Sequence, residues 1–229
     1  MSNYKEQILK EIGIPLWRAR AKELSGVERE VSEKFQCWDK VTEDANVCTS
    51  CPLHLTRNSV VVRKGSKEAE LLIVGEAPGA EEDKQGLPFV GKAGILLDQM
   101  MLSCSEYFGE VYVVNVIKCR PPGNRTPEKI EIDSCLGFLL RQIRLLSPKG
   151  ILALGRTAAH SLLNSDAPLA KLRGRVHYDG IVEIPVVVTY HPAYLLRSPQ
   201  EKAKSWEDLN LLLFLFCYCQ IFGTKNNIF

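Results

Sequence analysis

The sequence predicts an α/β protein, three layers deep, with a parallel β-sheet between two layers of helices. Four continuous apolar runs carry this reading: Leu71 to Gly75, Val111 to Ile117, Gly150 to Gly155 and Pro185 to His191. Their length and unbroken hydrophobicity suit strands buried on both faces. Segments of helical periodicity separate them, and that alternation is the mark of a parallel sheet wrapped by crossover helices. A third observation concerns function. The chemically suggestive residues fall at the carboxyl ends of these runs, where open α/β sheets receive their ligands.

Taken in order, residues 1–47 are charged and helix-prone, broken at Pro15, with Trp17 and Trp38 as expected docking points. They are read as an N-terminal helical extension without chemistry of its own, ahead of a single domain spanning residues 48–229. Cys48-Thr49-Ser50-Cys51-Pro52 forms a knuckle-like turn, and Asn58 to Arg63 is expected as a short strand. The first apolar run feeds the turn Gly75-Glu76-Ala77-Pro78-Gly79. Gly75 and Gly79 allow close backbone approach there, and Pro78 fixes the turn between them. Glu76, Glu82 and Asp83 set carboxylates beside that approach, which excludes a phosphate-cradling P-loop. Helices are expected from Ala93 to Ser103, from Pro127 to Leu146 with Thr126 as cap, and from Arg156 to Leu163. A last helix, Ser205 to Phe222, packs on one side of the sheet.

Across 229 residues, 45% hydrophobic and 24% charged content describe an ordinary globular chain. A net charge of +2 neither demands nor excludes nucleic acid, so a local basic patch would have to supply the attraction. Lys118, Arg120, Arg125, Lys171, Arg173, Arg175 and Arg197 are the candidates. The start of the chain shows no signal-peptide pattern. The longest apolar run, Leu211 to Cys219, falls well short of the roughly 20 residues needed to span a bilayer. Eight cysteines without a secretion signal point away from a disulfide framework and toward metal binding or packing, as in a reducing compartment. Cys48 and Cys51 have metal-gripping spacing, and with Cys119 and Cys135 they make a four-thiolate set. Zinc and an iron–sulfur cluster both accept such a set, and spacing does not choose between them.

Asn115 interrupts an apolar strand, where an unpaired polar side chain is costly. Its amide can match the edge of a nucleobase and suits uracil, with one acceptor and one donor side by side, while mismatching cytosine at both positions; the alternative is a satisfied structural asparagine. His191 precedes Pro192 and is therefore held extended, where it could donate to an oxygen that turns negative during a reaction or simply serve as a capping or core histidine. Phe89 could stack on a flat ligand or could simply be core. Leu195 and Leu196 follow the His-Pro-Ala turn as apolar residues at a site rim, able to fill the gap left by an extruded base.

Four strings in order, Gly-Glu-Ala-Pro-Gly-x-x-Glu-Asp, Pro-Phe-Val-Gly-x-Ala-Gly, Asn-Val-x-Lys-Cys-Arg-Pro-Pro-x-Asn-Arg and His-Pro-Ala-Tyr-Leu-Leu-Arg, resemble the family 4 uracil-DNA glycosylases over about residues 48–222. The resemblance implies a three-layer α/β/α fold on a central four-stranded parallel sheet. It implies a 4Fe–4S cluster on Cys48, Cys51, Cys119 and Cys135. It also implies that Asn115 reads uracil, Phe89 stacks on it, and Gly75, Ala77 and Glu82 complete the pocket. His191 would stabilise the leaving base and Glu76 would stand beside the sugar. Arg120, Arg125, Leu195, Leu196 and Arg197 would meet DNA. Glu76 separates the chain from the family 5 enzymes, which lack a polar residue there. The short Arg120 to Arg125 loop leaves no room for the basic insertion of the relatives that bond covalently to abasic DNA. The expected activity is removal of uracil from single- or double-stranded DNA by a monomer, cytoplasmic and nucleoid-associated, without strand cleavage. The rival readings are a cluster-bearing nucleic-acid-binding module without catalysis and a zinc-stapled hydrolase of a small nucleotide.

Overall fold

A computed structural model describes residues 37–222 except Asp179. Six strands form one sheet in the order β1-β3-β2-β4-β6-β5, namely β1 (Lys64–Gly65), β2 (Leu71–Gly75), β3 (Val111–Asn115), β4 (Gly150–Leu154), β5 (Val176–His177) and β6 (Val186–Thr189). The four central strands are parallel, and the two-residue edge strands β1 and β5 run antiparallel to their neighbours. The expected parallel core is therefore present, with a short antiparallel strand added at each margin.

Every residue of β2 and β4 is buried, as a strand covered on both faces requires. Alternate residues serve opposite layers. Leu72, Val74, Tyr112, Val114, Ile151, Ala153, Val186 and Val188 face one core, and Leu71, Ile73, Val113, Leu152, Leu154 and Val187 face the other. In chain order the helices are α1 (Trp38–Asn46), α2 (Ala80–Gln85), α3 (Lys92–Leu102), α4 (Ser105–Phe108), α5 (Lys129–Leu146), α6 (Arg156–Leu163), α7 (Leu169–Leu172), α8 (Pro192–Arg197) and α9 (Lys202–Phe222). Helices α5 and α6 supply the first core, through residues such as Leu139, Ile143, Ala158 and Leu162, and α3 and α9 supply the second through Leu97, Leu209, Leu212 and Phe216. Among the described residues, no helix is long and apolar enough to cross a membrane.

Several local expectations need correcting. Residues 58–63 form no strand, because their polar groups go elsewhere: Val61 N–H donates to the Lys118 carbonyl, and the Val62 carbonyl accepts from Gln142. Helix α5 starts after Glu128 rather than after Thr126, through a reciprocal capping box with the buried Glu131. The second long run stops pairing as a strand at Asn115, although Val116 and Ile117 still follow the β2 turn by donating to the Gly75 and Glu76 carbonyls. Of the expected extension, residues 1–36 lie outside the described residues. Helix α1 packs on the domain, with Trp38 against the Tyr112 ring and Asp44 2.8 Å from Arg141.

Candidate active site

The strand order makes a crevice. The chain leaves β2 toward β3 on one side and leaves β4 toward β6 on the other, so the carboxyl ends of β2 and β4 form the switch point where doubly wound sheets bind ligands. Gly75 closes β2 directly opposite Asn115 in the β3 register. A Cβ on Gly75 would stand 2.3 Å from Asn115 Oδ1 and 2.7 Å from Phe89 Cζ, so only glycine lets these two side chains converge. Phe89 is buried with a left-handed backbone (φ 55°), which is costly for a bulky residue. Its carbonyl lies so close to Gly94 that a side chain there could not fit.

Asn115 is 2% exposed, and its Oδ1 has no hydrogen-bond partner. A buried orphan acceptor costs about 1–3 kcal/mol, which a ligand N–H would recover. Asp83, also buried on this side of the sheet, is the instructive contrast. Its carboxylate accepts from Asn58 N, Ser59 N and Asn58 Nδ2 at 2.6–3.2 Å. Its acceptors are satisfied within the chain, so it acts as a strut and not as part of a ligand site.

His191 caps α8. Its Nδ1 accepts from Ala193 N at 3.1 Å, which leaves the proton on Nε2 and makes that atom a donor. Burial, with the Arg197 guanidinium adding to it, pushes the imidazole down to about 4, so it is neutral near pH 7. The ring lies over Phe89, with centroids 5.6 Å apart and planes 29° from parallel. Glu76 is half-buried beside this group, and its Oε2 accepts from the Thr157 hydroxyl at the start of α6. Glu82 reaches from α2 to accept from Gly91 N at 3.4 Å, tying the β2 turn to the loop that carries Phe89.

The expected DNA-facing residues separate. Leu196 is 44% exposed, but Leu195 is 1% exposed and belongs to the packed interior, which removes it as a wedge. Successive residues of a helix point apart, so one of the pair had to turn inward. Arg197 is exposed, and Arg120 donates to Asn124 at 2.8 Å. Arg125 is drawn into a bidentate pair with buried Glu131, at 2.6 and 2.9 Å. Lys118 is no surface cation: it is 1% exposed, with Nζ 2.7 Å from the Asn115 carbonyl. Arg173 pairs with buried Asp208 and lies over the Tyr190 ring.

Cys48, Cys51, Cys119 and Cys135 line one small pocket beside Lys118, Arg57 and His54. Among the described residues, no three Cys, His, Asp or Glu side chains converge tightly enough to hold a single metal ion. The surroundings fit thiolates. Arg57 donates to Cys119 Sγ and Lys118 N to Cys135 Sγ, both at 3.3 Å. Burial pushes the Cys135 thiol up to about 11, and burial lowers the Lys118 amine to about 8 while Cys135 and Cys119 pull it back up. A buried amine beside buried sulfurs is balanced once those sulfurs carry negative charge.

Fold and site thus define a doubly wound α/β protein that gathers Glu76, Phe89, Asn115 and His191 at its switch point and lines a pocket with four cysteines. The profile of the Uracil DNA glycosylase superfamily matches residues 62–210. The type-4 uracil-DNA glycosylase of Thermotoga maritima is 45% identical over 159 residues, covering 69% of this chain and 82% of the relative. Those of Pyrobaculum aerophilum and Archaeoglobus fulgidus are 40% and 39% identical, each over 74% of this chain and 90% and 88% of the relatives. The chain belongs to the uracil DNA glycosylase superfamily, among its type-4 members.

Proposed function

We propose that this chain is a monofunctional uracil-DNA glycosylase of base excision repair. It takes uracil out of the DNA stack, hydrolyses the N-glycosidic bond and leaves an abasic site. One observation carries the reading: the orphan Oδ1 of Asn115, buried beside Phe89 above a glycine that nothing larger can replace. Uracil offers that acceptor its N3–H, whereas cytosine has a bare acceptor at the same position.

Flipping costs about a few kcal/mol of unstacking, which contacts to the DNA offset. Arg120, Leu196 and Arg197 make those contacts, with Leu196 filling the vacated stack. In the seat, Phe89 stacks on the base, Asn115 reads its edge, and backbone groups of Gly75 and Ala77 border it. Glu82 holds the Phe89 loop in place. The bond between base N1 and sugar C1′ breaks with its electron pair on the base. His191, neutral and with its proton on Nε2, donates to the uracil oxygen where that charge develops. The Glu76 carboxylate faces the positive sugar and takes a proton from the water whose oxygen adds to C1′. The uracil anion then takes a proton from solvent. No amine is needed as a nucleophile, so the strand stays intact.

Cys48, Cys51, Cys119 and Cys135 would hold a 4Fe–4S cluster. Such a cluster would supply a cross-link between separated chain segments rather than a redox step. The protein acts as a monomer on single- or double-stranded DNA, in the nucleoid. The test is incubation with end-labelled oligonucleotides carrying uracil, cytosine or thymine at one position, followed by alkali. The uracil strand alone is expected to break, and only after alkali. An intact uracil strand, or breaks before alkali, would overturn the proposal.

A further inference from the structure

The geometry points to Thr157 as the residue that positions Glu76, an inference that rests on the role given to Glu76 above. Thr157 is 7% exposed in the first turn of α6. A threonine hydroxyl there ordinarily bonds to the backbone of its own helix. Here it donates instead to Glu76 Oε2, on a segment 81 positions away. Among the described residues this is the one hydrogen bond made by the Glu76 carboxylate.

The donor is held firmly. Threonine is stiff about its first side-chain torsion, and the residues after it on α6, Ala158, Ala159 and Leu162, are completely buried in the core. Glutamate, by contrast, has three rotatable bonds. One fixed contact at Oε2 restricts how the carboxylate can turn, and Oε1 makes no hydrogen bond among the described residues. The same β4–α6 turn also touches His191. Gly155 has φ +85°, and a Cβ there would stand 3.2 Å from His191 Cβ. One turn thus abuts the groups on both sides of the scissile bond.

A positioning bond of this kind acts on the chemical step rather than on binding. Misplacing a reacting group by a fraction of an ångström to an ångström costs up to about 100-fold in rate, so losing this bond is expected to cost roughly tenfold or more. The experiment measures single-turnover excision and, separately, DNA affinity on an uncleavable analogue. It compares Thr157→Val, Thr157→Ser and Thr157→Ala, and places Thr157→Val in a Glu76→Ala background. Val and Ala are expected to slow the chemical step with affinity unchanged, Ser to restore it, and Val to add nothing once Glu76 is gone. Parental rates in Val and Ala, failure of Ser to rescue, or an undiminished effect of Val without Glu76 would overturn the role of Thr157. Glu76→Ala working at the parental rate would overturn the reading of Glu76 itself, and with it this inference.

Discussion

At the carboxyl edge of the sheet, Asn115 keeps a buried acceptor without a donor, and Phe89 holds a left-handed backbone. Three residues further along, at the cysteine cavity, buried Lys118 gives its amine to the Asn115 carbonyl and its N–H to Cys135 Sγ. The first region leaves a buried acceptor unpaired, which under the proposed function a uracil N–H takes up. The second gathers sulfurs and cations from distant segments, and its polar groups are engaged within the chain. Lys118 touches both regions, so the seat and the brace share one side chain.

The largest effect is expected from breaking the brace. Thiolate-held metal groups contribute on the order of 10 kcal/mol to the folding of small domains. Cys119→Ser should lose iron and sulfide, lower the melting temperature more than any change in the seat, and reduce excision as a consequence. A variant that lost activity while keeping iron and melting temperature would place Cys119 in the chemistry and erase the contrast.

His191→Ala tests the other region. Removing one donor to developing negative charge typically costs about 100- to 1000-fold in rate. The loss should appear in single-turnover excision, with iron content, melting temperature and DNA affinity close to the parent. The linked pH effect has a definite sign. The imidazole is depressed to about 4 in the folded protein against an ordinary 6.5, so the unfolded chain protonates first as pH falls. Stability associated with His191 is present above 6.5 and is lost as pH falls toward 4. Melting temperature against pH should fall less steeply in His191→Gln, and an identical slope would contradict the burial described.

The smallest effect separates two neighbours on α8. Leu196→Ala should leave stability unchanged and weaken excision several-fold, more on duplex than on single strands. Leu195→Ala should instead cost about 2–5 kcal/mol of stability, as core truncations do. Matching phenotypes would mean that exposure does not distinguish them.

Much of this was legible in the sequence. The parallel strands showed because strands buried on both faces must be apolar throughout, and Asn115 and His191 showed because each stands where polarity or a following proline is conspicuous. Cys48 and Cys51 stood out through their spacing, and Cys119 and Cys135 joined them through the family resemblance. Other features had no such signal. Lys118 reads as a surface cation because charge is ordinarily solvated, and its burial depends on an acceptor and sulfurs brought in by tertiary structure. Thr157 sits in an ordinary helical first turn, and its partner lies on another strand end. Arg125 looked free until buried Glu131 claimed it. Leu195 and Leu196 were equal as letters and are separated only by the direction each takes from the helix.

The central claim is that the orphan acceptor of Asn115 exists to read uracil. A crystal structure of the protein with uracil in the seat tests it most directly. The account predicts the base over Phe89 with its N3–H within about 2.7–3.2 Å of Asn115 Oδ1. Uracil bound elsewhere, or bound with that oxygen still unpartnered, would contradict it.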